Sequence, residues 1–173
     1  MKLFEVETTK AVKPEDVALV VKYADLCLKE LCRAEHELTG RRLSIVRARK
    51  NLKIKVRTSG QLSRGGKYGI TIDIDDTVRR IELSGRINEY KAFAKDPVIG
   101  SFACKSREKA IAWVVAHEIA HHAQYRYGPS TRWLRATYRK PHGHGSQAIY
   151  RILRSRVINP IVDPNLDLKE ASL

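Results

Sequence analysis

Cysteine is scarce in this 173-residue chain, and its three residues, Cys27, Cys32 and Cys104, are an odd count in no metal-binding spacing. That excludes a disulfide-stapled scaffold and fits reduced, partly buried thiols in a cytoplasmic protein. Long apolar runs are missing too. No stretch approaches the roughly 20 residues needed to cross a bilayer, so no membrane partner is expected. The first seven residues have no apolar core and no small-residue cleavage site, so a secretory leader is not expected either. Repeats, low-complexity tracts and dividing linkers are absent. Residues 1–173 therefore read as a single domain, with its core over about 14–158 and a peripheral tail over 159–173.

Acid is the other shortage. Nineteen Asp and Glu face 33 Lys and Arg, a net charge of +14. A surface this positive attracts polyanions, nucleic acid foremost, although a merely solubilising surface would have the same composition. The shortage is also localised. From Ile119 through Val162 there is no Asp or Glu, while Arg126, Arg132, Arg135, Arg139, Lys140, Arg151, Arg154 and Arg156 all fall there. Tyr125, Tyr127, Trp133 and Tyr138 are interleaved with them, an arrangement suited to stacking unpaired bases, though aromatics more often serve as core or rim.

What is present begins with a helix opened by Pro14, with Glu15 and Asp16 in its first turn. Val17, Val21, Ala24, Leu28 and Leu31 recur at spacings of four and three, and Gly40 is its stop. The period then changes. Leu52, Ile54 and Val56 alternate with Lys53, Lys55 and Arg57, predicting a strand with one buried face and a row of cations that could track a phosphate backbone. Residues 43–48 read as its hairpin partner. Tyr68, Ile70, Ile72 and Ile74 predict a second strand and 78–83 a third, followed by a short helix over 86–93. The next helix is predicted over 107–127 with Ser106 as its cap, and a final amphipathic helix over 146–157.

The 107–127 helix carries the chemistry. His117, Glu118 and His121 form an H-E-x-x-H pattern, and positions four apart on a helix lie one above the other, so two imidazoles face one point. That suits two legs of a tetrahedral zinc site, with Glu118 placed to take a proton from a water that the metal acidifies. The plainer alternative is a core or surface helix that happens to carry these residues. A hydrolytic site needs a third protein ligand. Gln124 and Tyr127 stand where an H-E-x-x-H-x-x-G-x-x-H site would need glycine and histidine, and the acid-free interval offers no downstream glutamate. His122, His142 and His144 remain as candidates. His122 points about 100° around the helix from His121 and reads as a surface or supporting residue. His142 and His144 share a glycine-flanked loop, and His144, at the entrance to the last helix, is the better fixed of the two.

His117-Glu-Ile-Ala-His-His122, a loop, and then Gly143-His-Gly-Ser-Gln-Ala-Ile-Tyr-Arg-Ile-Leu153 resemble the SprT-like zinc metalloproteases, the family that includes Spartan. The specific likeness covers about residues 106–154. It implies a zincin-like α+β fold in which an N-terminal helix and a small three- to four-stranded sheet pack on the active helix and a C-terminal helix. It also implies zinc on His117, His121 and His144, with Glu118 as general base, and a DNA-associated endopeptidase whose protein substrates are bound or crosslinked to DNA. Two features depart from the family. Gln147 replaces a frequent aromatic, and the C-terminal cysteine-rich ribbon of many members is missing. The expected nucleic-acid contacts are Lys53, Lys55, Arg57, Arg126, Arg132, Arg135, Arg139 and Lys140, and Tyr138 and Tyr150 are candidate oxyanion donors. Two other functions compete with this one: a DNA-binding module with structural or vestigial zinc, and a metal hydrolase acting on another class of substrate.

Overall fold

The computed structural model describes residues 4–127 and 140–162, with Leu38, Thr39 and Val162 described in the backbone alone. Helix α1 spans Pro14–Thr39, and Gly40 closes it at φ 69°, the left-handed conformation that glycine adopts without steric cost. One side of α1 buries Val20, Tyr23, Ala24, Cys27, Leu28 and Leu31. The cysteines are free thiols, Cys27 and Cys104 buried and Cys32 half-buried.

A four-stranded sheet lies beside it. Strands β1 (Glu5–Thr8), β2 (Lys53–Arg57) and β4 (Gly69–Asp73) run parallel, and β3 (Arg64–Gly66) pairs antiparallel with β4, giving the order β1-β2-β4-β3. Ile54, Val56, Ile70 and Ile72 point into the core, as their alternation requires. Strand β1 is exposed at every position, so no apolar alternation marks it in the sequence.

Three expected elements differ. Residues 43–48 do not form a hairpin strand; Ser44 accepts a hydrogen bond from the Arg47 amide and starts helix α2 (Ile45–Asn51). Residues 78–83 lie in helix α3 (Ile74–Ser84), capped by Asp73, because Ile74, Val78 and Ile81 follow the helical spacing and leave Leu83 in solvent. Residues 86–93 are not helical. Strand β5 (Arg86–Ile87) pairs with β6 (Phe102–Ala103), and an irregular segment joins them.

Helix α4 (Arg107–Tyr127) forms as expected, with the Ser106 hydroxyl accepting from the Lys109 amide at 3.4 Å. It is buried on almost every side from Ala110 to Gln124, as a central helix covered by neighbours must be. Helix α5 (His144–Leu153) begins two residues earlier than the periodicity predicts and continues through a π-helical segment, Arg154–Ile158, into a last turn, Asn159–Val162. The molecule is therefore mixed α+β, with helix α4 between the sheet and α5.

Candidate metal centre

The H-E-x-x-H turn of α4 brings His117 and His121 together, with their Nε2 atoms 3.2 Å apart. The third imidazole is His142. Its Nε2 lies 3.3 Å from that of His117 and 3.1 Å from that of His121. This corrects the expectation of His144, whose side chain is exposed on the first residue of α5. The reason is local. Because α5 starts at 144, that residue belongs to the helix, while His142 adopts φ 58° and turns its ring back over α4. The ring stacks on Tyr90 at 4.4 Å between centroids. Gln147 donates to the His142 carbonyl at 2.8 Å, and Gln124 donates to the Lys140 carbonyl at 3.0 Å, tying the loop down at both ends.

The donor set fits a tetrahedral zinc ion. Ligands 2.0–2.1 Å from such a centre lie about 3.3–3.4 Å from one another, close to the spacing of these three nitrogens. Burial lowers all three imidazoles below their ordinary range, His121 to about 4, so each is neutral and offers a lone pair at neutral pH. No other His, Cys, Asp or Glu joins the group among the described residues, which leaves a coordination position for water or substrate.

Glu118 is buried beside the first ligand. Burial pushes its carboxyl up to about 8, opposed by the Gly65 amide and the charge of Arg80. A divalent cation on the neighbouring imidazoles favours the ionised form, the state a base needs. Strand β3 reaches this point because Gly65 has no side chain: a Cβ there would stand 2.1 Å from the Glu118 carbonyl oxygen. His122 is fully buried rather than on the surface, and its Nδ1 pairs with the Gly66 carbonyl at 2.7 Å, fastening β3 to α4. The triad opens into a cleft of about 580 Å³ walled by Leu62, Arg64, Gly65, Arg80, Tyr90 and Tyr125, among others.

Two residues missing from the expected site lie behind it. Glu89, on the β5–β6 connection, is buried against His117, and Gln124 is fully buried one turn beyond His121 on α4. No sequence period marks Glu89, because it lies in an irregular segment. Tyr150 is not an oxyanion donor. Its hydroxyl is buried and donates to Glu89 Oε1, and burial holds its proton well above the usual phenol range.

The expected cationic tracks are mostly neutralised in space. Lys53 pairs with Glu5 at 3.2 Å and Lys55 with Glu7 at 2.7 Å across the β1–β2 register, and Arg57 is 3.2 Å from the buried Asp73. Acids from earlier in the chain meet the acid-free interval. Arg151 pairs with Asp96, Arg154 with Glu89, and Arg156 with Glu30 and Glu37. Arg126, on the last turn of α4, and the exposed Lys140 follow and precede the cleft residues Tyr125 and Pro141 in sequence, while Arg132, Arg135 and Arg139, with Trp133 and Tyr138, lie outside the described residues. No protein-family model, curated protein or solved structure matches this chain.

Proposed function

We propose that this protein is a zinc-dependent endopeptidase of zincin-like fold. The observation that carries the reading is the convergence of three neutral imidazoles, from His117, His121 and His142, on one point at the floor of an open cleft with Glu118 alongside. Structural zinc is normally enclosed by four ligands and rich in cysteine, so an open three-histidine set favours catalysis over a scaffold role. When bound, zinc supplies Lewis acidity, polarising a peptide carbonyl and acidifying a water. The Glu118 carboxylate takes the proton that water gives up and delivers it to the leaving amine nitrogen. Arg80, held by Asp76 at 3.0 Å, lines the same cleft and adds positive charge to it, of the sign that favours an anionic carbonyl oxygen. The substrate is extended peptide: β3 is an edge strand along the cleft, and an added strand would gain main-chain hydrogen bonds there.

DNA association is the second part of the proposal. It is supported by the net charge of +14 and by Arg64 in the cleft wall, with Arg126 and Lys140 next in sequence to the lining residues Tyr125 and Pro141. The test is cleavage of a basic, loosely folded protein by the zinc-loaded chain, with and without single-stranded DNA, beside Glu118→Gln. Cleavage stimulated by DNA and reduced about 10²–10⁴-fold in the variant, with zinc retained, is expected. DNA binding without proteolysis would favour the non-catalytic module instead, and nucleic-acid cleavage the other hydrolase.

A further inference from the structure

Glu89 is a buried carboxylate whose three side-chain donors all meet the same oxygen. The Trp113 indole donates to Oε1 at 2.5 Å, the Arg154 guanidinium donates to it at 3.1 Å, and the Tyr150 hydroxyl donates to it as well. Oε2 has no hydrogen-bond partner, yet the side chain is only 1% exposed. The buried atom it faces is His117 Nδ1, 3.7 Å away and also without a partner. Two unsatisfied polar atoms buried against each other, one an acceptor and the other able to carry a proton, would cost stability unless they pair. A shift of under about one ångström brings them to hydrogen-bond distance.

We propose that Glu89 is the positioning residue of the metal centre: its Oε2 accepts the Nδ1 proton of His117, fixing the tautomer whose Nε2 lone pair faces the metal. This rests on the metal-centre reading above and adds the group that orients its first ligand. The three donors account for the arrangement. By occupying Oε1, they hold the carboxylate from α4, α5 and the π-helical segment and leave Oε2 facing His117 Nδ1. Arg154 is itself held by Asn159 and the Gly100 carbonyl and lies over the Phe102 ring, which makes the carboxylate's support rigid. Such support around a metal-bound imidazole raises its basicity as well as setting its direction.

The test is zinc affinity, read by competition with a chromophoric chelator, for the wild type and Glu89→Gln, with circular dichroism to show that both are folded. The variant is expected to bind zinc about 10–100-fold more weakly. Because Glu89→Gln also removes the charge paired with the buried Arg154, a second measurement uses the wild type: long-range ¹H–¹⁵N correlation of its histidine rings with zinc bound. Nδ1 of His117 should carry a slowly exchanging, downfield-shifted proton while Nε2 ligates. A His117 that ligates through Nδ1, or a folded Glu89→Gln with unchanged zinc affinity, overturns the inference and leaves the metal centre standing. A wild type that binds no zinc overturns both.

Discussion

His142 holds a left-handed backbone conformation that costs a residue with a Cβ on the order of 1–2 kcal/mol. The structure offsets that cost with the Tyr90 stack and with the Gln147 side chain on the His142 carbonyl. Gln147→Ala should therefore loosen the loop rather than the fold. Zinc affinity, measured by chelator competition, is expected to fall by about tenfold while the melting temperature moves by only a few degrees. Unchanged affinity would show that the loop is held by other means. His117, Glu118 and His121 could be found from the sequence because one helical turn sets their relation. The choice between His142 and His144 could not, since it depends on where α5 begins, and the last apolar positions do not reveal that. Glu89 left no trace at all, because an irregular segment brings it to His117 through tertiary structure alone.

Strand β3 and helix α4 meet at a contact that only glycine permits. Gly65→Ala would press a methyl group into the Glu118 carbonyl, and overpacking of this kind costs about 1–3 kcal/mol. A fall in melting temperature of about 3–10 °C is expected, whereas Gly66→Ala, which meets nothing within 4 Å, should melt almost as the wild type does. Equal melting of the two would remove β3 from the site's wall. Elements with a buried apolar stripe could be read from the sequence: α1, β2, β4 and α4 formed where their periods put them. Two of the misread elements, α2 and α3, start at side-chain caps, Ser44 and Asp73. Asp73 ends β4, starts α3 and gathers the amides of Ser59, Gly60 and Gln61 onto its carboxylate. One residue thus sets three boundaries that hydrophobic spacing does not encode.

Across the whole molecule, acids from the first hundred residues meet a basic C-terminal third. The excess of positive charge was correctly legible, but its distribution was not, because Glu30, Glu37, Glu89 and Asp96 arrive from distant parts of the chain. One of these pairs makes stability depend on pH. Burial alone would raise the Asp96 carboxyl, but Arg151 and the amides of Ile99 and Val98 outweigh it and hold it at about 2. A carboxyl lowered on folding contributes its stability above its unfolded value, near 3.8, and loses it as pH falls through about 2. Arg151→Ala should therefore cost about 1 kcal/mol at pH 5 to 7, allowing for solvent screening, with the difference closing between pH 4 and 2 in acid unfolding followed by circular dichroism. A difference that stayed constant over that window would assign the loss to packing.

The central claim is an open metal centre made by His117, His121 and His142, and equilibrium zinc titration of the wild type, His142→Ala and His144→Ala tests it most directly. One zinc per chain, kept by His144→Ala and weakened at least about a hundredfold in His142→Ala, is the predicted result. Loss of zinc on changing His144, with His142→Ala unaffected, would contradict it.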